Sequence, residues 1–300
     1  MDSDLPPLEG VIPAIPTSLT SEGRVAHDKL TQNLERWNGH RLSGYLVLGS
    51  NGENVYLSQE EKIRILQTAR KAIPAGKVLI AGTGCESTVE TITLTRRAAE
   101  VGTEAALVVT PHFYGGQMTA GALVSHFFSV ADASPIPILV YNVPKFTHLD
   151  LGAPTIARMA EHPNILGIKD SGGNVEKLGD VVRLTGDGFR VLTGAGGVFF
   201  PALVMGAVGG IMAVANVVPE QAIDVYDLFR KGDWEQAAEL QRWLIPVNAA
   251  VTSRFAVAGL KAALDMLGYY GGPVRPPLLE LQPDEREELR GILAAGGVFS

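Results

Sequence analysis

Residues 136–170, IPILVYNVPKFTHLDLGAPTIARMAEHPNILGIKD, hold two short apolar runs, Ile136 to Val140 and Ile165 to Ile168, separated by a segment of helix length. Both runs are nearly continuous in hydrophobicity, as expected of strands covered on both faces, so the unit reads as parallel β-α-β. The same unit recurs along the chain at intervals of about 25 to 40 residues. The further strand candidates are Val11 to Pro16, Gly44 to Leu48, Val78 to Gly82, Ala105 to Val109, Arg190 to Thr193 and Gly209 to Ala213. Between them, apolar residues fall at i, i+3 and i+4, the period of an amphipathic helix. Ser58 to Lys71 is the clearest case: Ser58 caps the first turn, Glu61 three residues on completes a capping box, and Pro74 stops the pattern.

Eight strand and helix pairs close a (β/α)8 barrel, a TIM barrel, whereas a doubly wound open sheet generally uses fewer. Residues 1–231 are therefore expected to form the barrel. Residues 232–300 read as a C-terminal helical extension packed on it, with helices over Trp234 to Val251, Val257 to Leu267 and Pro283 to Ala294. The tract Gly268 to Pro277 is dense in turn formers and is expected as a turn or extended arm, either a plain connector or a surface for another subunit.

Composition narrows the function classes. With 46% hydrophobic and 19% charged residues the chain has ample material for a large core. A net charge of -7 repels nucleic acid and anionic membrane, and no apolar stretch reaches the roughly 18 residues of a spanning helix. The single cysteine, Cys85, cannot form an internal disulfide, and the acidic, proline-bearing start MDSDLPPLEG is unlike a leader peptide, so a cytoplasmic protein is expected.

In such a barrel the reactive groups come from the C-terminal ends of strands and the loops after them. Lys169 stands at the end of the apolar run Ile165 to Ile168, where an ammonium is costly to desolvate and its pKa falls. A lysine so depressed can attack a carbonyl and form an imine. The competing reading is an inward lysine paired with Glu53 or Asp170. Tyr141 ends the preceding strand, one unit earlier, and a phenol there can shuttle protons. Gly49-Ser50-Asn51-Gly52-Glu53 follows the second strand, with glycines that permit a tight turn aiming amides at a carboxylate; an ordinary β-α turn is the alternative.

In order, spacing and strand placement, GSNGE, YNVP and GIKDSGG resemble the dihydrodipicolinate synthase and N-acetylneuraminate lyase family, from about Val11 to Leu281. Within it the chain looks most like 4-hydroxy-2-oxoglutarate aldolases, through GSNGE, AGTGCEST, SPIPILVYNVP, HPNILGIKDSGG and NAAVTSRFAVAGLK. The resemblance implies a class I aldolase that cleaves a 4-hydroxy-2-oxo acid to pyruvate and glyoxylate. It implies Lys169 as the Schiff-base lysine, Tyr141 as general acid and base, and Ser50 with Asn51 as carboxylate-binding and relay groups. Ser171, Gly194, Tyr114 and His112 complete the residues expected around a small 2-keto acid substrate. A homotetramer with no metal and no organic cofactor is expected on the same ground.

Three positions depart from the family pattern. Two residues after YNVP, where the synthase carries an arginine for a substrate carboxylate, stands Phe146, with Lys145 beside it; an apolar ring cannot replace a bidentate contact, which disfavours the synthase reaction. Phe113 occupies the place of a relay tyrosine, flanked by His112 and Tyr114, and the relay is either shortened to Tyr141 and Ser50 or completed by one of these neighbours. His148 replaces the usual glycine. Rival readings are a sister lyase or dehydratase acting on a 2-keto-3-deoxy sugar acid, the dihydrodipicolinate synthase reaction itself, a metal-dependent aldolase, for which the six histidines show no ligand spacing, and a catalytically silent binding paralogue. Gly194-Ala195-Gly196-Gly197 could cradle phosphate, but a dinucleotide fingerprint would need glycine at Phe199.

Overall fold

The computed structural model describes residues 8–299. The acidic start read above against a leader peptide lies largely outside the described residues, as do the outer ends of the two spans 1–231 and 232–300.

Eight parallel strands, β1 (Gly10–Pro13), β2 (Gly44–Val47), β3 (Val78–Gly82), β4 (Ala105–Val109), β5 (Ile138–Asn142), β6 (Ile165–Asp170), β7 (Arg190–Thr193) and β8 (Gly209–Met212), form one sheet in the order β1-β8-β7-β6-β5-β4-β3-β2. A parallel bridge between Ala14 and Leu46 brings the ends of β1 and β2 together and closes the barrel. Three strands keep their expected bounds, and the others shift by up to three residues. Pro137 has no N–H to donate, so the β5 ladder starts at Ile138, whose amide reaches the Asn164 carbonyl at 2.9 Å. β6 runs two residues past its apolar stretch because Lys169 and Asp170 continue to pair with Tyr141 and Asn142.

The helices surround the strands: α1 (His27–Asn38), α2 (Gln59–Ala72), α3 (Thr88–Val101), α4 (Ala120–Ala133), the one-turn α5 (Pro144–Thr147), α6 (Ala153–Ala160), α7 (Val175–Leu184), α8 (Phe199–Val204) and α9 (Pro219–Lys231). The capping box of α2 forms as its sequence requires: the Ser58 hydroxyl accepts from the Glu61 amide at 3.2 Å, and the Ser58 amide donates to the Glu61 carboxylate at 2.8 Å. No helix among the described residues is long and apolar enough to cross a membrane.

Strand parity divides the core into layers. Ile12, Leu46, Ile80, Leu107, Leu139, Leu192 and Ile211 fill the barrel interior, while Ile138, Val140 and Ile168 face outward against the helices. Tyr141 falls on the same inward face as Leu139 and is paired in register with Lys169. The period of two thus aims both functional side chains at the barrel axis.

The extension follows as α10 (Trp234–Ala249), a π-helical turn (Ala250–Arg254), α11 (Ala256–Met266) and α12 (Pro283–Ala295). Its residues Leu244, Val247, Leu260, Leu264, Leu289 and Leu293 share one core with Leu30, Leu34 and Trp37 of α1 and Leu66 of α2. The Gly268 to Pro277 tract folds back on the same flank. Tyr269 stacks on Trp37 with ring centres 5.2 Å apart, and the Tyr270 hydroxyl donates to the Leu19 carbonyl at 2.8 Å.

A buried ion pair ties this extension to the β2 loop. Lys261 of α11 and Glu53, both fully enclosed, meet at 2.5 Å; Lys261 also donates to the Pro273 carbonyl at 2.6 Å, and the Arg275 amide donates to Glu53 at 2.6 Å. Such a pair contributes little beyond an apolar substitute, yet removing one partner strands a buried charge. Lys261→Met is expected to lower stability by about 3–5 kcal/mol, read by urea unfolding. The double variant Glu53→Gln with Lys261→Met should recover most of that loss. Equal losses in single and double variants would show that the pair is not what anchors the loop.

Candidate active site

At the C-terminal mouth of the barrel lies a cavity of about 610 Å³, lined by Leu48 to Asn51, Tyr141, Lys169, Ser171 and Gly194 from the strand ends and by Asn248, Val251 and Thr252 from the extension. Lys169 projects into it from β6 and is only 3% exposed. Burial lowers its pKa below the ordinary lysine value, and the neighbouring Tyr141 phenol opposes that shift more weakly.

What surrounds the ammonium decides between its two readings. Asp170 points to the other side of β6, where it meets Lys177 at 2.9 Å and accepts from the Asn142 amide and the Gly172 N–H, both at 2.8 Å. Glu53 is held by Lys261. Both carboxylates that could have neutralised Lys169 are thus committed elsewhere, and no carboxylate among the described residues lies within 4.0 Å of its Nζ. The nearest polar company is Tyr141, whose ring centre is 4.4 Å from Nζ. Without a carboxylate counter-ion, Tyr141 offsets the desolvation of the charged form only in part, which favours the neutral, nucleophilic amine.

Tyr141 is itself buried, and its hydroxyl lies 3.1 Å from Ser50 Oγ, a pair through which a proton can pass. Ser50 opens a single tight turn, Ser50–Gly52, whose first amides have no acceptor within the turn and are available to an anion. The turn is held firmly. Asn51 donates its side-chain amide to the Ala14 carbonyl at 3.2 Å, and Thr17 Oγ1 donates to the Gly52 carbonyl at 2.7 Å. Leu48 and Glu53 on either side adopt φ of 63° and 54°, a left-handed conformation that costs a non-glycine residue about 1 kcal/mol or more. The buried Glu53 carboxylate, fixed by Lys261 and the Arg275 amide, holds that conformation in place.

Gly194, at the end of β7, is required by close approach. A Cβ there would overlap Ser171 Oγ and stand 2.9 Å from Lys169 Cε, so a side chain would force Ser171 and crowd Lys169. His112 lines the cavity and is engaged by Glu86 at 2.8 Å; the same carboxylate also accepts from the His112 and Phe113 amides. Tyr114 and Phe113 are 70% and 76% exposed, pack edge to face on each other, and lie outside the cavity lining. The structure thus brings Lys169, Tyr141, Ser50, Asn51, Ser171, Gly194 and His112 to one cavity and leaves Tyr114 out of it. His148, exposed with φ of 55°, is likewise not part of the lining.

The sequence reading missed the contribution of the extension. Asn248 and Thr252 sit within NAAVTSRF, but nothing local to that stretch marks them as cavity residues, because α10 must first pack across the mouth. Among the described residues, no group of three or more His, Cys, Asp or Glu side chains is arranged to hold a metal ion.

A profile described as the dihydrodipicolinate synthetase family matches residues 7–296. A 4-hydroxy-tetrahydrodipicolinate synthase of Methanothrix thermoacetophila is 35% identical over 286 residues, 95% of either chain. The solved 4-hydroxy-tetrahydrodipicolinate synthase of Methylacidiphilum fumariolicum superposes with a TM-score of 0.92 at 30% identity, covering 97% of this chain and 96% of that one. The dihydrodipicolinate synthase of Acinetobacter baumannii, solved in complex with pyruvate, gives 0.93 at 30% identity over 98% of this chain and 100% of that one. These relatives carry the synthase name, whereas the sequence motifs placed the chain nearest the aldolase branch.

Two outcomes test the geometry. Gly194→Ala should slow imine formation about 100-fold, the cost of misplacing a reacting group by roughly an ångström, with folding checked by circular dichroism; an unchanged rate would show that Lys169 does not depend on the gap. Competitive acetylation followed across pH should show Lys169 gaining reactivity as it deprotonates well below 10.5, the ordinary lysine value. A titration at or above that value would mean that a counter-ion holds the charge.

Proposed function

This chain belongs to the dihydrodipicolinate synthetase family, enzymes that act on pyruvate-type substrates through a Schiff base, and we propose that its reaction is retro-aldol cleavage of 4-hydroxy-2-oxoglutarate to pyruvate and glyoxylate. The observation that carries this reading is Phe146. It follows YNVP where the synthase has an arginine, and it lines the cavity half-exposed, with no arginine among the other lining residues. A synthase that grips the carboxylate of its second substrate with a guanidinium fork lacks that fork here, where the cationic group at the mouth is the single ammonium of Lys145.

In this mechanism the neutral Lys169 Nζ adds to the C2 carbonyl of the substrate. Tyr141 delivers a proton to the carbinolamine hydroxyl, water leaves, and a protonated imine remains. Removal of the proton from the C4 hydroxyl, with Tyr141 and Ser50 as the relay, lets the C3–C4 bond break. Its electron pair moves into the imine, giving the enamine of pyruvate and releasing C4 as the aldehyde of glyoxylate. Protonation at C3 and hydrolysis then free pyruvate and restore the amine. The amides of the Ser50–Asn51 turn hold the C1 carboxylate, with Ser171 and Gly194 beside Lys169. The relay needs no further tyrosine, in keeping with the exposed Phe113 and Tyr114. A homotetrameric, cytoplasmic enzyme remains part of this proposal.

The names of the relatives favour a second reading, formation of 4-hydroxy-tetrahydrodipicolinate. Assaying the purified protein for both reactions separates them. Glyoxylate release from 4-hydroxy-2-oxoglutarate is expected, and Tyr141→Phe should reduce kcat by about 100- to 10,000-fold. Synthase turnover without cleavage would replace the proposal with the second reading.

A further inference from the structure

The cavity has depth. Lys169 and Tyr141 are buried at its floor, whereas Lys145 and Phe146, on the single turn of α5, are exposed at its mouth. The YNVP segment therefore supplies both ends: Tyr141 faces the reacting carbon, and four residues later Lys145 overlooks the entrance.

Lys145 is held there. Its Nζ donates to the Thr252 carbonyl at 2.9 Å and lies 5.5 Å from the centre of the Phe146 ring. Thr252 belongs to the π-helical turn Ala250–Arg254, where the ladder of α10 is interrupted before α11 begins at Ala256 with φ of 48°. A widened turn releases carbonyls from the regular i to i−4 pattern, and one of them braces this ammonium. That bond uses one of three donors, and no carboxylate among the described residues lies within 4.0 Å. Apart from Lys169, Lys145 is the one lysine or arginine lining the cavity.

We propose that Lys145 is the receptor for a carboxylate at the far end of the substrate, so that the enzyme selects 2-oxo acids bearing a second acid group about three carbons beyond the carbonyl. A braced ammonium over an aromatic ring offers a point charge and two free donors rather than the planar fork of a guanidinium. It attracts a carboxylate without fixing its plane, which suits a product that must leave as an aldehyde. The inference rests on the cleavage reading for its natural substrate, but the recognition itself can be read without turnover.

The test uses imine trapping. Borohydride reduction of the full-length protein is titrated with 2-oxoglutarate and with 2-oxopentanoate, acids of equal chain length that differ at the distal end, and adduct is quantified by mass. Relative to 2-oxopentanoate, Lys145→Gln should raise the half-saturating concentration of 2-oxoglutarate about two- to fivefold, the range for an exposed charge–carboxylate contact. Lys145→Glu should raise it further, Lys145→Arg should retain preference, and added salt should shrink the difference. A parallel rise for both acids, no rise, or a wild-type protein that traps 2-oxopentanoate but not 2-oxoglutarate would each overturn the assignment. Failure of the cleavage reading would show separately, as absence of glyoxylate release by the wild type.

Discussion

The chemistry of this barrel depends on where its buried negative charges are spent. Lys169 sits in an interior that would ordinarily demand a counter-ion, with Asp170 next in sequence and Glu53 across the mouth. Each is taken by another lysine: Asp170 by Lys177, Glu53 by Lys261. The strand geometry makes the first separation automatic, because adjacent residues of β6 face opposite sides of the sheet. The second requires the C-terminal extension, since only α11 can bring Lys261 to the β2 loop. An electrostatic condition for a nucleophilic amine is therefore met by a packing arrangement that spans more than two hundred residues.

That arrangement also explains why the extension is more than a cover. Through Lys261 and the Arg275 amide it fixes Glu53 in a left-handed conformation, and Glu53 ends the turn that carries Ser50 toward Tyr141. Through Thr252 it braces Lys145 at the entrance. The floor and the mouth of the cavity are thus both set by helices that follow the barrel. Loss of the extension would be felt at the reacting carbon even though none of its residues performs the proton transfers.

Much of the architecture was legible in the sequence because it follows from local pattern. Eight apolar runs at β-α-β spacing imply the barrel, and the strand-end positions of Tyr141 and Lys169, one unit apart, imply a shared mouth; the in-register pairing that sets both on one inward face is visible only in the structure. The boundaries moved where backbone hydrogen bonding, not hydrophobicity, decides: Pro137 delays β5, and ladder pairing carries β6 through Lys169 and Asp170. The site was legible only at strand ends. Of the groups expected around the substrate, Asn51 has its side-chain amide engaged by the Ala14 carbonyl, which leaves its backbone N–H as the group facing the cavity, and Tyr114 is exposed on a loop held by Glu86. Such loop geometry, like the partners of Glu53, comes from contacts too distant in sequence for periodicity to report.

Lys169, buried at the cavity floor without a carboxylate partner among the described residues, is the amine proposed to capture the 2-oxo acid. Reducing the protein with borohydride in the presence of pyruvate, then mapping the modified peptide by mass, tests this assignment most directly. One adduct on Lys169 is the predicted result. An adduct on Lys145 or Lys261 instead, or none at saturating pyruvate, would contradict it.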